Sequence, residues 1–240
     1  MFLYHQLTTF FTERTAVAEF TYASAGVDID NADDTKREMA RSLETNDARV
    51  LNKIGAFATL FDGHFPEYQH PVLVLKSEEP GSKQKLAFTH GHYESVCYDL
   101  VNHLINDIIV MGAHPLSLQD VIVCGKMEKD VITRVVDAMA AACRAQDCSL
   151  TGGETSEQPG VVPAGTYVLT ASVVGVAEKS QVIDGTTIRA GDQVLAVASN
   201  GLHTNGYTLV RALLDTQPDL AEIDVDGETF LDAVLHPHLC

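Results

Sequence analysis

The stretch VCYDLVNHLINDIIVM, residues 96–111, followed by Gly112-Ala113-His114-Pro115, decides how the rest of the chain is read. Leu100, Val101, Leu104, Ile105, Ile108 and Ile109 recur at i, i+1, i+4 and i+5, the spacing of one continuous apolar helix face. The opposite side carries Asp99, His103, Asn106 and Asp107. At roughly 100° per residue, Asp99 and Asn106 fall within about 20° of each other. Gly112 and then Pro115 stop the helix in the expected order. Solvated helix faces mostly show Lys, Glu or Gln. Short carboxylates, an amide and an imidazole are ligand-type groups, so this stripe is either a site wall or a solvated face with incidental short polar residues.

Downstream, LSLQDVIVC (residues 116–124) predicts an apolar strand. A helix is predicted over residues 131–146, where Val131, Val135, Met139 and Cys143 form one stripe. Ser149-Leu150-Thr151 leads into GGETSEQPG (152–160), read as a glycine turn. Gly152 and Gly153 would let backbone approach a ligand, and Glu154 could bind a metal or cap local amides. Residues 166–176 are β-rich, and 177–191 are loop-like and mark a candidate domain boundary. Another strand is predicted over 193–199, running into NGLHTNG (200–206) and a helix over 207–215.

A strand, a glycine loop and a helix in this order can bind an anion, because helix N-termini present free N–H groups and partial positive charge. Gly201 and Gly206 permit close approach, Asn205 is the expected cap, and His203 is placed to donate to a phosphate or move a proton. Neither Walker A nor Rossmann spacing is present. A capped helix without ligand is the alternative.

Upstream, AGVDID (25–30) precedes a charged stretch to Arg41 that reads as helix, with Asp28 and Asp30 either in a short strand or in an acidic turn. Residues 50–61 are apolar with small residues, and Pro71-Val-Leu-Val-Leu75 predicts a short buried strand. Residues 85–89 predict a second strand, and THGHYES (89–95) a junction from it to the central helix, with His90, His92 and Glu94 as site candidates or as plain loop residues. Residues 1–20 fit as an extra helix or ordered arm.

The 240 residues allow one large or two small domains, with 45% apolar and 20% charged residues as in ordinary globular proteins. A net charge of −17 argues against non-specific binding to nucleic acid or anionic membranes, but is compatible with divalent cations and with phosphate held by backbone amides. Five cysteines, an odd number without a CxxC pair, suggest reduced thiols and a cytoplasmic protein. No signal peptide is expected from the first residues, and no apolar run is long enough to span a membrane.

Four blocks together resemble the aminoimidazole ribonucleotide synthetase, or phosphoribosylformylglycinamidine cyclo-ligase, family: AGVDID (25–30), DLVNHLINDIIVMGAHPL (99–116), LTGGETSEQPG (150–160), and the run from VVGVAEKSQVIDG to SNGLHTNGYTLVRALL (173–214). The resemblance implies an α+β fold. Its first domain, residues 21–178 after an extension over 1–20, would bind ATP and pair into a dimer barrel. A ferredoxin-like second domain would begin at 179 and stop incomplete at 240, since the family runs roughly half again longer.

The implied reaction consumes ATP with Mg²⁺ and closes the ring of formylglycinamidine ribonucleotide. By resemblance, Asp107, Asp99 and Glu154 are metal ligands and His203 a proton donor beside Asp107. Gly152, Gly153, Thr155, Gly201, Asn205, Gly206, His90 and His92 line the phosphates. The family motif Thr-Asp-Gly-Val-Gly-Thr-Lys is placed on residues 89–95, which puts His90 and Ser95 where the family has Asp and Lys. The glycine-rich loop expected near 52–58 keeps few of its glycines. Three readings stay open: a divergent cyclo-ligase, another ATP-using enzyme of the superfamily such as selenophosphate synthetase or thiamine-phosphate kinase, and a non-catalytic nucleotide-binding relative.

Overall fold

The computed structural model describes residues 21–52 and 56–240. The expected arm over 1–20 and the core of the expected glycine-rich loop therefore lie outside the described residues.

The charged stretch forms helix α1 (Ile29–Ser42). Asp28 is its N-cap, accepting from the Asn31 amide, so AGVDID is an acidic turn and cap instead of a strand. Strand β1 (Pro71–Glu78) is longer than expected and open on one side, with Leu73 and Leu75 58% and 69% exposed. Helix α2 (Lys83–Thr89) occupies the stretch predicted as the second strand. Lys83, Leu86 and Ala87 are buried together at i, i+3 and i+4, a helical pattern that a short apolar run conceals.

Helix α3 (Tyr93–Ile109) is the central helix, with Leu100, Val101, Leu104, Ile105 and Ile108 all buried. Gly112, at φ +79°, follows it in the left-handed conformation expected of a helix terminator. Strand β2 (His114–Cys124), helix α4 (Lys129–Ala145), strand β3 (Ser149–Glu157) and strand β4 (Tyr167–Glu178) complete one layer pair. The α4 stripe Val131, Val135, Met139 and Cys143 is buried as its spacing predicts. Helix α5 (Tyr207–Thr216), a two-residue ribbon of strands β5 (Asp224–Val225) and β6 (Glu228–Thr229), and helix α6 (Phe230–Leu235) follow.

The sheet order is β1-β4-β2-β3, with β2 and β3 parallel and the other pairs antiparallel. Alternation sends Leu118, Ile122, Leu169 and Val173 into the core beneath α3 and α4. The other face carries Leu73, Leu75, Val121 and Val168, exposed among the described residues.

Two further sequence expectations are corrected. Residues 152–157 are not a turn: they continue β3 along β2. Gly153 is needed there because a Cβ would lie 2.0 Å from the Asp120 carbonyl, across a register shift between Leu118 and Asp120. No strand forms over 193–199, where Val194, Leu195 and Val197 are 94%, 89% and 95% exposed. An apolar run becomes a strand only where it pairs with another, and this one pairs with no strand among the described residues.

Asp120 is a buried carboxylate on β2, and burial pushes its pKa up to about 7 from 3.8. Between those values the folded chain holds a proton that the unfolded chain releases, so stability falls as pH rises through this window. Going from pH 5 to pH 8 costs on the order of 2–3 kcal/mol from this group alone. Asp120→Asn should remove that slope, as urea unfolding of both proteins at the two pH values would measure. An unchanged slope would refute the assignment.

Candidate functional site

The polar stripe of α3 divides between two uses. Its C-terminal part faces the end of β1. Asp107 and His103 sit at i and i+4 spacing, 3.7 Å apart, and Glu78 closes a trio whose ligand atoms all lie within 4.8 Å of one another. Lys76 reaches into the trio, its ammonium 2.7 Å from Glu78 and 3.2 Å from Asp107. The Lys76 hydrogen bond holds the Glu78 carboxyl below the usual range, so it remains ionised. Two carboxylates converging on one cation form a cradle that a divalent ion also fits. Magnesium prefers oxygen ligands and keeps water or phosphate in its shell, so Glu78 and Asp107 suffice for it while His103 serves as a hydrogen-bonding neighbour.

The other polar positions grip the chain's own backbone. The Asp99 carboxylate accepts from the His238 amide at 2.9 Å, the Asn102 amide donates to the His238 carbonyl at 2.7 Å, and the Asn106 amide donates to the Leu239 carbonyl at 3.0 Å. Ser95 donates to the Leu235 carbonyl. Residues 95, 99, 102 and 106 thus form one helical ridge against an extended segment.

Asp99 also pairs with Lys83 at 2.7 Å, both side chains fully buried. Burial lowers the Lys83 amine and raises the Asp99 carboxyl, each opposed by the other's charge. Lys83 further donates to the His236 carbonyl and sits 5.4 Å from the Tyr207 ring centre. Asp99 is therefore engaged by the lysine and the tail segment, apart from the Glu78–His103–Asp107 trio.

The expected phosphate loop packs against this ridge. Gly81 makes room for it, since a Cβ there would lie 3.0 Å from the Thr204 carbonyl. Thr204 meets His103 Nδ1 at 3.5 Å. His238 lies between His103 and His203, with ring centres 5.4 and 4.0 Å away, and His203 Nε2 is 3.2 Å from Ser199. Burial, reinforced by neighbouring positive groups, drives the His238 pKa down to about 3, so this ring is neutral. Gly201 and Gly206 adopt φ +117° and +84°; Gly206 itself is the N-cap of α5, a correction to the expected Asn205 cap.

Not every expected residue joins this cluster. Gly152, Gly153, Glu154 and Thr155 lie on β3, at the opposite sheet edge from β1. Two intervening strands put roughly 14 Å between those edges. Glu154 is exposed and does not approach the trio. His90 ends α2 and is exposed; His92 precedes α3, with Nε2 3.5 Å from Asp232.

The motif assignment over 89–95 is also corrected, because that segment joins two helices and not a strand to a helix. The strand-to-helix junction is SEEPGSK, residues 77–83. Its carboxylate, glycine, hydroxyl and lysine (Glu78, Gly81, Ser82 and Lys83) fall at the second, fifth, sixth and seventh positions of the family motif. Glu78 and Lys83 thus fall at the Asp and Lys positions of the motif. The Gly-Ser-Lys spacing was the sequence signal; taking 85–89 as a strand hid it.

Residues 72–177 match the family model described as AIR synthase related protein, N-terminal domain. The chain is 44% identical over 218 residues to a phosphoribosylformylglycinamidine cyclo-ligase of Methylobacillus flagellatus, covering 90% of this chain and 63% of that protein. It is 44% identical over 220 residues to the same-named protein of Chromobacterium violaceum, with 90% and 63% coverage. The chain thus spans less than two thirds of the length of these curated relatives. Among solved structures, E. coli HypE overlays with a TM-score of 0.47 at 16% identity, covering 81% of this chain and 56% of that one.

Proposed function

This chain belongs to the AIR synthase related family, and from that premise we propose that it carries out the ATP-dependent ring closure of formylglycinamidine ribonucleotide to aminoimidazole ribonucleotide. The observation that carries the reading is the cation cradle of Glu78 and Asp107, set at the end of β1 with the 200–206 loop packed beside it. In this reading the γ-phosphoryl group passes to the formamide oxygen, an amidine-side nitrogen attacks the activated carbon, and phosphate leaves.

Glu78 and Asp107 would hold Mg²⁺, which supplies charge neutralisation at phosphate oxygens. His103 orients Asp107 through their close approach, and His203, exposed on the loop, is the proton donor. Lys83 and Asp99 hold the loop and the 234–239 segment in position. Gly201, Gly206 and Asn205 shape the phosphate side. Most of the catalysis is then positioning and electrostatic stabilisation.

The uncovered sheet face supports a homodimer closed through Leu73, Leu75, Val121 and Val168, with residues 21–178 as the pairing domain and 179 onward as the start of a second. Among the described residues no helix is long and apolar enough to cross a membrane, and we take the protein to act in the cytoplasm. ADP release should depend on Mg²⁺ and on formylglycinamidine ribonucleotide, with light scattering on the same sample giving a dimer mass. ATP binding without substrate-dependent ADP release would refute the reaction, and a monomer mass would refute the pairing.

A further inference from the structure

Helix α4 ends in a Schellman cap closed by two cysteines. Gln146 is the C-cap, and Asp147 follows in the left-handed conformation at φ +52°. The Cys148 amide donates back to the Cys143 carbonyl at 3.0 Å, and the Asp147 amide to the Arg144 carbonyl at 3.3 Å. These two bonds define the cap, and the residues at its ends, Cys143 and Cys148, meet side chain to side chain. Such a contact needs only two apolar groups. Here both are thiols, and they hydrogen-bond each other. The amide-to-carbonyl bond between the same two residues keeps their backbones within the separation a disulfide bridges, about 4.4–6.8 Å between Cα atoms.

Both sulfurs lie at shallow depth. Cys143 is fully buried and Cys148 is 4% exposed, but Arg144, Ala145 and Asp147 of the turn that covers them are exposed. Helix ends open locally at far lower cost than a whole domain, so releasing this turn bares the pair without unfolding the core. In the closed state the hydrogen bond with Cys148, reinforced by burial, drives the Cys143 thiol well above its ordinary pKa. Cys143 therefore rests as a neutral thiol, and its chemistry waits on the opening of the turn.

We propose that Cys143 and Cys148 form a dithiol that a peroxide oxidises to a disulfide, stapling the end of α4 to the residue before β3. As the turn opens, Cys148 gives up its proton and attacks the peroxide O–O bond, becoming a sulfenic acid. The hydroxide that leaves takes up that proton as water. The Cys143 sulfur then attacks the sulfenic sulfur, the S–S bond forms, and the sulfenic hydroxyl leaves with the Cys143 proton as a second water. One peroxide thus accepts two electrons from two thiols and yields one disulfide and two waters. A thiol reductant reverses the staple by exchange.

Arg144 lies between the two cysteines, so trypsin leaves Cys143 in the peptide 135–144 and Cys148 in the peptide 145–179. The test treats the full chain with hydrogen peroxide under native conditions, alkylates the remaining thiols and weighs the unreduced tryptic peptides. Neither ATP nor turnover enters, so the outcome is independent of the cyclo-ligase reading. The expected result is a linked species of those two peptides, lighter than their sum by two hydrogens and separated again by dithiothreitol. Cys143→Ser should abolish it and leave Cys148 as a sulfenic acid that dimedone captures. Without peroxide, alkylation of Cys148 in the native chain should run at least about tenfold faster than that of Cys97, which is buried within α3. Peroxide that oxidises the exposed Cys240 but yields no linked pair overturns the proposal. So does a linked pair that forms only where the whole chain unfolds, with Cys148 and Cys97 reacting at one rate.

Discussion

Asp107→Asn should lower substrate-dependent ADP release by at least about a hundredfold while leaving the fold intact. A hundredfold loss corresponds to about 2.7 kcal/mol of transition-state stabilisation, a size expected when one of two carboxylates holding a catalytic cation becomes neutral. Stability should barely move. The Asp107 side chain is 32% exposed, and its contacts are the partly exposed Lys76 at 3.2 Å and His103 at 3.7 Å. Such pairs contribute at most about 1 kcal/mol. Glu78→Gln should behave alike, since Glu78 is the other wall of the cradle. Steady-state ADP release across a Mg²⁺ titration, with a thermal melt of each variant, is the measurement. Full activity in both variants would discard the cradle as the metal site.

Lys83→Met should cost about 3–5 kcal/mol of folding stability, because it leaves the Asp99 carboxylate buried without its counter-charge. Both side chains are fully buried at 2.7 Å. The loss also removes the Lys83 bond to the His236 carbonyl, so the 234–239 segment loosens together with the pair. Adding Asp99→Asn should recover part of the stability: it removes the stranded charge and keeps an oxygen to accept the His238 amide. Guanidinium chloride unfolding of the parent, the single and the double variant would measure this. A single-variant loss under about 1 kcal/mol, or a double variant weaker than the single, would show that the pair does not hold this junction.

The two predictions separate groups that the sequence had presented as one stripe. Asp99 and Asp107 are on the same helix, yet one is fully buried in a structural pair and the other borders the cation cradle. Helical spacing gives the angle of each side chain about the axis. It does not give the depth of whatever packs over that angle.

Local pattern alone determined the central helix, helix α4, strands β2 and β4 and helix α5, because in each the apolar period is long enough to distinguish 3.6 from 2. It also determined the family, through blocks whose combination is specific. Tertiary structure decided the rest. Residues 85–89 became helix because Lys83 and Leu86 are buried together, and GGETSE became strand because β2 offered it an edge. Residues 193–199 pair with no strand among the described residues and stay irregular. The ridge Asp99, Asn102 and Asn106 found its partners 139, 136 and 133 residues away. No short-range signal encodes pairings at that separation, since a polar side chain carries the capacity for a hydrogen bond but not the address of its partner.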